Sequence, residues 1–465
     1  MDVEAAYQNS LNYLYSFVDY SLTRSFRYSP EKFDLGRMGD FMRLLGQPQL
    51  EYPIIHVAGT KGKGSVSAMC ASALQAAGYR VGLYTSPHLQ DYTERIQLDG
   101  RPIPHIELVE LIDDIKPRVA AVPHLTTFEI TTALALLYFA LQKATAVVLE
   151  VGLGGRLDAT NIVVPVVSVI TSISYDHTAI LGESLTAIAG EKAGIIKPQV
   201  PVVCAPQKEE ARLVIERIAA QHSAPFTLVG RDYLFAKLAH SLNGGQSLLV
   251  WPASEQAYVD EYIESGGFQE WEPTRLAIPL LGYHQVENAA TAYTALQVAR
   301  GNGLPVSEVD IRKGFSSVVW PGRFEVLQRY PPVVIDSAHN RDSALKLRLA
   351  LNDYFPGLPV ILVFGASEDK DIAGMFAELM PCIRLLIATR SFHPRAYDPV
   401  ELVDLAHRWG RPAKVIDKVE DALEEAIRVA AGEAVVLVTG SLFVAAGARE
   451  SWYQKIKNRG ATHEK

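Results

Sequence analysis

The chain has 465 residues, of which 48% are hydrophobic and 21% charged, a composition typical of a soluble globular protein with two or three domains. Its 44 lysines and arginines against 52 acidic residues give a net charge of −8, which argues against a nucleic-acid-binding protein, since such proteins present a basic face. Three cysteines without a CxxC pair, no secretory signal and no apolar stretch long enough for a bilayer predict a cytoplasmic protein with no membrane partner.

Short apolar runs alternate with amphipathic segments through the first 205 residues. This alternation predicts a parallel sheet covered by helices on both faces, because strands buried on both faces read as continuous apolar runs. Strands are predicted over 54–58, 80–84, 146–150, 166–171 and 201–205. Helices are predicted over 65–77, 107–119, 129–141 and 185–194.

The polar stretch 226–280 breaks this rhythm. Short alternations at Leu248 and Val250, and again at Leu276 and Ile278, predict antiparallel strands at a domain edge. After a helix predicted over 288–300, a second alternation predicts strands over 333–335, 360–364, 385–388, 414–416 and 434–438. We therefore predict an N-terminal domain of residues 1–318 and a smaller C-terminal domain of residues 319–465.

A glycine-rich loop joins the first predicted strand to a helix, and its residues are Gly59, Thr60, Lys61, Gly62, Lys63, Gly64 and Ser65. Glycines let backbone N–H groups point at phosphate oxygens, and the helix N-terminus adds positive potential. Lys63 would hold the β- and γ-phosphates, and the Ser65 hydroxyl would ligate Mg²⁺. The match to GxxxxGK[ST] is imperfect, since Val57 replaces the first Gly and Gly64 displaces the hydroxyl. A ligand-free turn is the alternative to a nucleotide site.

The loop resembles that of folylpolyglutamate and dihydrofolate synthases, in the Mur-ligase superfamily of ATP-dependent amide ligases. Further similar motifs follow in family order over roughly residues 30–445. They are Thr85-Ser86-Pro87-His88-Leu89, Thr93-Glu94-Arg95-Ile96, Phe128-Glu129, the run from Glu150 to Asn161, Asp176-His177-Thr178, Glu191-Lys192-Ala193-Gly194, His284-Gln285 with Asn288, Pro321-Gly322-Arg323-Phe324, Asp336-Ser337-Ala338-His339-Asn340 and Thr439-Gly440-Ser441. The resemblance implies a P-loop-containing, parallel-sheet ATPase domain followed by a smaller Rossmann-like α/β domain, as in Mur ligases.

The implied reaction joins L-glutamate to a folate-type carboxylate through an acyl phosphate made with ATP, and dihydrofolate synthase activity is expected at the same site. The implied ligands are folate or dihydropteroate, L-glutamate, ATP, two Mg²⁺ ions and a monovalent cation. A monomer is expected. Lys63, Lys192, Asp336 and His339 are the implied catalytic residues.

Glu150 closes a buried strand and His177 follows the next one, so both lie at the edge where open α/β sheets bind ligands. A carboxylate and an imidazole there would hold a second Mg²⁺, together with Ser86 by resemblance. The alternative is that Glu150 caps a loop and His177 is structural. Mg²⁺ prefers oxygen, so the histidine ligand is taken from the resemblance.

The resemblance also assigns substrate contacts. The folate-type substrate would meet Asp34, Arg95, Thr126, Thr127, Phe128, Glu129, Leu157, Asp158 and Ala159. An aromatic ring with a few polar groups suits a flat heterocycle, although without the resemblance core packing is the favoured interpretation of Phe128. Thr127 stands where many relatives have an aromatic residue.

For the adenine nucleotide the resemblance assigns Asn288, Arg323 and Asp336, although Arg323 is equally compatible with a linker ion pair. Arg395 and Ser441 are weaker candidates for the carboxylates of glutamate, since arginine offers a bidentate fork.

Lys192 in Glu191-Lys192-Ala193-Gly194 matches a lysine that is carbamylated in many superfamily members. A lysine near Mg²⁺ and other cations has a depressed pKa, so its neutral amine can react with CO₂. The alternative is an ion pair of Lys192 with Glu191 or a helix neighbour.

Two other functions compete with this interpretation. A cell-wall amino-acid ligase of the same superfamily typically has Thr after the loop lysine and an additional N-terminal domain, whereas Gly64 follows Lys63 here and about 53 residues precede the first strand. A P-loop switch or motor ATPase would turn over ATP without any carboxylate and amine.

Overall fold

The computed structural model of the chain describes residues 2–18, 33–267 and 271–463, with side chains as far as Lys455 in the last helix. It contains two compact units. The first comprises Met1–Ala239, Gln246–Pro279 and Gln285–Val318. The second comprises His240–Gly245, Leu280–His284 and Val319–Lys465. The functions assigned above to residues 1–318 and 319–465 stay a prediction.

An eight-stranded sheet lies at the centre of the first unit. Its strands are β1 (Ile54–Ala58), β2 (Val81–Tyr84), β3 (Ile96–Leu98), β4 (Arg101–Pro102), β5 (Ala146–Glu150), β6 (Val167–Ile170), β7 (Val202–Cys204) and β8 (Phe226–Leu228). Their order is β4-β3-β2-β5-β1-β6-β7-β8, and only β3 and β4 run antiparallel to their neighbours. Every residue of β1 and β5 is buried, so both faces of the sheet centre are covered, as the apolar runs predict.

Several helices of the first unit pack against this sheet. The helices before residue 318 are α1 (Val3–Tyr15), α2 (Leu35–Leu44), α3 (Lys63–Ala76), α4 (His105–Ala120), α5 (Thr127–Leu141), α6 (Thr178–Leu181), α7 (Leu185–Ala193), α8 (Glu209–Gln221), α9 (Gln256–Glu264), α10 (Tyr283–Arg300) and α11 (Glu308–Ser317). Leu134 and Phe139 of α5 pack in one core with Ile54 of β1. Ile188 of α7 packs in a second core with Ile170 of β6.

A three-stranded antiparallel sheet occupies the stretch where the βα rhythm is interrupted. Its strands are β9 (Tyr233–Ser241), β10 (Gly245–Pro252) and β11 (Thr274–Ile278), in the order β11-β10-β9. Leu248 lies directly opposite Leu276, and both are buried. The predicted antiparallel strands are therefore confirmed.

The second unit is built on a six-stranded sheet of order β12-β13-β17-β14-β15-β16, in which only β12 is antiparallel. The strands are β12 (Glu325–Arg329), β13 (Pro332–Ile335), β14 (Val360–Phe364), β15 (Ile383–Ala388), β16 (Ala413–Val415) and β17 (Val435–Thr439). The helices are α12 (Arg341–Tyr354), α13 (Ile372–Leu379), α14 (Pro399–Arg408), α15 (Val419–Ala430) and α16 (Leu442–His463). Alternating residues of β14 face two separate cores, Leu362 toward α12 and α13 and Val363 toward α15.

All ten strands predicted from the apolar runs are present, each with ends within two residues of the prediction. Other elements of the first unit and β12 of the second were not predicted from the sequence: helices α1, α2, α6, α8, α9 and α11 and strands β3, β4, β8, β9 and β12. The predicted break in the βα rhythm therefore begins too early, because β8 at Phe226–Leu228 still pairs in parallel with β7. Within the residues that the structure describes, no helix is both long enough and apolar enough to cross a membrane.

Candidate active site

Four neighbouring parallel strands of the first unit end at one edge of the sheet, in the order β2-β5-β1-β6. Glu150 is the last residue of β5, and the loops after β2, β1 and β6 carry Ser86, the glycine-rich loop and His177, respectively. Loops at the carboxyl ends of parallel strands are where open α/β sheets bind ligands. The topology thus places the predicted nucleotide and metal residues of the first unit along one edge.

The glycine-rich loop is held by its backbone. The N–H groups of Thr60 and Lys61 both donate to the carbonyl of Ser172 after β6, at 2.9 and 3.1 Å. Gly62 has φ of 89° and precedes α3, and a Cβ at this position would lie 2.2 Å from Oδ1 of Asn288. Only glycine fits there, and Asn288 of α10 is brought directly against the loop.

Three lysines converge on this loop. Nζ of Lys192 donates to the carbonyl of Gly59 at 2.8 Å. Nζ of Lys61 pairs with Asp176 at 2.9 Å, and Nζ of Lys63 lies 3.9 Å from Glu150. The positive charges of Lys61 and Lys63 suit a polyphosphate ligand. The pairing of Asp176 with Lys61 was not predicted, although the Asp176-His177-Thr178 motif pointed to this loop.

Lys192 is buried, with 5% of its surface exposed. Burial is the largest cause that lowers its pKa from 10.5 to about 7, and the positive charges of Lys63 and Lys61 act in the same direction. Asp176 and Asp158 oppose the shift. A substantial fraction of Lys192 is therefore a neutral amine at neutral pH.

The candidate metal ligands are mostly oxygen donors. Glu150 is buried, and Oε2 accepts a hydrogen bond from the N–H of Ser86 at 3.3 Å. Ser65 is buried in the first turn of α3. His177 has φ of 51°, its imidazole is 41% exposed, and Nε2 lies 3.9 Å from Asp176.

In the parts of the chain that the structure describes, no three His, Cys, Asp or Glu side chains form a metal-binding group. One carboxylate with hydroxyl oxygens nevertheless suits Mg²⁺, which proteins usually bind through one or two carboxylates together with substrate phosphates and water.

The residues predicted to contact folate all lie in the first unit. Thr126 and Glu129 form a capping box at the start of α5, and the Phe128 ring packs on the backbone of Gly152, where a Cβ would lie 2.4 Å from the ring. Glu129 also accepts two hydrogen bonds from Arg37, at 3.0 and 2.8 Å. Arg37 was not predicted, and it stands three residues after Asp34.

Several of these side chains have structural partners. Asp34 caps α2 by accepting from the N–H of Gly36 at 2.8 Å, and the Thr127 hydroxyl donates to the carbonyl of Leu14 at 2.9 Å. Nε of Arg95 donates to Nδ1 of His88 at 2.9 Å, and burial lowers the pKa of His88 to about 4, so the imidazole stays a neutral acceptor.

Asp158 is the hub of the loop that follows β5, in which Leu157 is half-buried and Ala159 buried. Its carboxylate accepts from the N–H groups of Gly152, Leu153 and Thr160 and from the Thr160 hydroxyl, at 2.5 to 3.1 Å. The Thr160 hydroxyl accepts in turn from Nε2 of His56, a fully buried residue of β1 whose pKa is lowered to about 3 by burial. The neutral imidazole of His56 in β1 therefore helps to hold Thr160 and, through it, Asp158.

In the second unit, Asp336 and His339 follow β13. The Asp336 carboxylate accepts from the N–H groups of Phe324 and Ala338, each at 2.8 Å. Nδ1 of His339 donates to the carbonyl of Ser337 at 2.8 Å. The neutral imidazole is therefore the Nδ1–H tautomer, and its Nε2 is an acceptor. Arg323, which immediately precedes Phe324, is half-buried and donates to the carbonyl of Gly322.

Arg395 and Ser441 lie on other loops of this unit. Arg395 pairs with Asp369 at 3.3 Å, and Ser441 caps α16 by accepting from the N–H of Val444 at 3.1 Å.

Comparison with known proteins gives matches to two family models. The Mur ligase middle domain matches residues 57–296, and the Mur ligase glutamate ligase domain matches residues 322–442. The dihydrofolate synthase/folylpolyglutamate synthase of Bacillus subtilis is 36% identical over 443 residues, which cover 92% of this chain and 97% of that protein.

Solved structures agree with these matches. A Mycobacterium tuberculosis folylpolyglutamate synthase complexed with ADP has a TM-score of 0.84 at 32% identity, covering 97% of this chain and 99% of that chain. Escherichia coli FolC in complex with DHPP and ADP has a TM-score of 0.82 at 32% identity, covering 97% and 98%.

Proposed function

This chain belongs to the dihydrofolate synthase/folylpolyglutamate synthase branch of the Mur ligases, and we propose that it links L-glutamate to the carboxylate of a folate-type substrate in an ATP-dependent reaction. The observation that carries the proposal is the glycine-rich loop at the end of β1, which carries the cations Lys61 and Lys63 and accepts a hydrogen bond from the buried Lys192 amine at the carbonyl of Gly59. Relatives with these names, similar over nearly the whole chain, support it.

The chemistry explains the concentration of cations. An oxygen of the substrate carboxylate takes the γ-phosphoryl group, and ADP leaves. The neutral amino group of glutamate then attacks the acyl carbon, phosphate leaves, and an amide forms. Because carboxylate and triphosphate are both anionic, positive charge must offset their repulsion, and Lys63 would do so at the β- and γ-phosphates.

For Mg²⁺ we propose Ser65 as a ligand beside the phosphates, and Ser86, Glu150 and His177 as ligands of a second ion. Mg²⁺ bound there would neutralise charge that develops on the transferring phosphoryl group. Asn288, which contacts Gly62, is proposed to line the nucleotide site of the first unit.

For the folate-type substrate we propose stacking on Phe128, supported by its half-exposed position above Gly152. Arg95 would supply a cation, since its guanidinium is held by Nε on His88 and by the face of the Tyr92 ring rather than by a carboxylate. The functions that the resemblance gives to Asp336, His339 and the other residues of the second unit stay predictions.

Lys192 is proposed to be carbamylated. Its neutral amine would attack CO₂, a C–N bond would form, and the released proton would pass to solvent, which leaves a carboxylate in place of a cation. The burial of this amine and its pKa of about 7 support the proposal. Mass spectrometry of the intact enzyme under ¹³CO₂ tests it, and active enzyme without an adduct would refute it.

The ligase activity is tested by ATP-dependent incorporation of labelled glutamate into dihydropteroate and, separately, into tetrahydrofolate. Product with either acceptor supports the proposal, and product with both indicates a bifunctional enzyme. ATP hydrolysis that is independent of both acceptor and glutamate would refute it in favour of a P-loop ATPase. Transfer of an amino acid to a UDP-sugar acceptor instead would indicate a cell-wall ligase.

A further inference from the structure

The end of α7 is bound to the loop that follows β5. The N–H of Arg156 donates to the carbonyl of Glu191 at 2.8 Å. The side-chain amide of Asn161 donates to the carbonyls of Arg156 and Gly194, each at 3.0 Å. Residues 156 and 161 are therefore hydrogen-bonded to both ends of the short segment 191–194, which contains Lys192.

The Arg156 and Glu191 side chains close the same contact from the solvent side. Nε and Nη2 of Arg156 donate to the two carboxylate oxygens of Glu191, at 3.1 and 2.9 Å for the shortest pairs. This two-pronged geometry restricts both side chains. Arg156 is 46% exposed and Glu191 20% exposed, so an ion pair of this kind contributes little to global stability.

Gly194 shows how closely the two segments approach. A Cβ on Gly194 would lie 2.3 Å from Cβ of Arg156. Its φ is −62°, which every amino acid adopts, so the backbone conformation does not require glycine here and the close approach of Arg156 does. Gly190, in the same helix, has no atom within 4 Å of an added Cβ.

We propose that Arg156 is a positioning residue: through Glu191 it holds segment 191–194 so that the Lys192 amine reaches the carbonyl of Gly59 in the phosphate loop. The inference deepens the proposed ligase function and rests on it for its effect on catalysis. Arg156 thereby links the loop proposed to meet the carboxylate substrate with the loop proposed to meet ATP. Its guanidinium acts through Glu191, at the outer side of the contact.

The test compares Arg156→Ala and Gly194→Ala with two controls. Arg212→Ala removes another Arg–Glu pair of partly exposed side chains, Arg212 with Glu216, and Gly190→Ala adds a methyl group where there is space. We expect kcat to fall by about 10- to 100-fold in the two test variants, the size that follows a small misplacement near reacting groups, with KM for ATP little changed. Both controls should keep the wild-type kcat.

A second readout is independent of the reaction. Amide hydrogen exchange over residues 189–196, measured without substrates, should become faster in Arg156→Ala and Gly194→Ala and stay unchanged in both controls. The paired exchange Arg156→Glu with Glu191→Arg should restore much of the protection and activity, which a merely space-filling role of either side chain would not predict.

The outcomes separate the two proposals. A wild-type enzyme that makes no amide overturns the proposed function. Amide exchange over residues 189–196 would then still show whether Arg156 and Glu191 hold segment 191–194 in place. A wild-type enzyme that ligates glutamate, with unchanged kcat in Arg156→Ala, overturns the inference whether or not exchange becomes faster. A lower kcat with unchanged exchange over 189–196 also overturns it, because Arg156 would then act by another route.

Discussion

Replacing Lys192 by methionine should stabilise the first unit while abolishing activity. The amine is buried, and its pKa is about 7 in the folded chain against 10.5 when exposed. Below pH 7 both states are protonated and the full cost of burying the charge is present. Between pH 7 and 10.5 only the unfolded state keeps the proton, so stability rises with pH in this window, and above it the cost has gone.

The magnitude follows from the same two values. At 1.36 kcal/mol per pKa unit, a pKa lowered from 10.5 to about 7 costs about 4 kcal/mol of unfolding free energy at pH 7 and about 2 kcal/mol at pH 9. Methionine removes this cost but leaves the Gly59 carbonyl without its donor, a loss of about 1 kcal/mol. The net gain should be about 3 kcal/mol at pH 7 and about 1 kcal/mol at pH 9.

Denaturant-dependent hydrogen exchange of the amides in β1 and β6, in CO₂-depleted buffer, measures this gain in the unit that contains Lys192. Lys313→Met, at an exposed position of α11, is the matched control and should change stability by less than about 0.5 kcal/mol. A variant at position 192 that is less stable than wild type at pH 7, or whose advantage grows toward pH 9, would refute burial as the main cause of the lowered pKa.

Three further predictions concern the phosphate loop and the metal ligands. Lys63→Ala should lower kcat by at least about 100-fold, the scale of one lost electrostatic contact in a transition state, while circular dichroism shows an intact fold. Glu150→Ala and His177→Ala should each raise the Mg²⁺ concentration needed for activity, and the double variant should be far from additive if both serve one ion; additive losses with unchanged Mg²⁺ dependence would return both to structural roles. Gly62→Ala should raise KM for ATP, because the positive φ and the Asn288 side chain both oppose a Cβ; adding Asn288→Ala should relieve only part of the defect, and full recovery would exclude a contribution from φ.

The sheets could be predicted from the sequence because each buried strand is a short, continuous apolar run, as in β1 and β14. The loops after β1, β5 and β6 could be predicted for the same reason, since the end of a buried strand fixes where ligand-binding loops begin. Of the strands that were missed, β4, β8, β9 and β12 lie at sheet edges, and β4 has two residues, both of which are exposed. A segment that is not buried leaves no apolar pattern to recognise.

Pairings between distant residues were also out of reach of the sequence. Arg37 and Glu129 are 92 positions apart, and either charge could be read as a solvated side chain until the fold brings them together. The motif around Lys192 suggested a depressed pKa from neighbouring cations, whereas the structure shows that burial is the larger cause. Burial of a single lysine depends on what packs over it, which no local pattern records.

The edges of the two parallel sheets have a consequence for how this chain behaves among its own copies. Strand β4 offers only Arg101 and Pro102, and proline has no N–H to give to a neighbour; β12 is interrupted by an irregularity between Val326 and Gln328. The opposite edges, β8 and β16, have three residues each. At β4, β8 and β16, a strand from another molecule would find only two or three residues to pair with. At β12 the irregularity would interrupt the hydrogen-bond ladder. Neither case offers enough hydrogen bonds to extend a sheet from one chain to the next. The long, apolar centres of both sheets are thereby shielded from the edge-to-edge growth that begins amyloid.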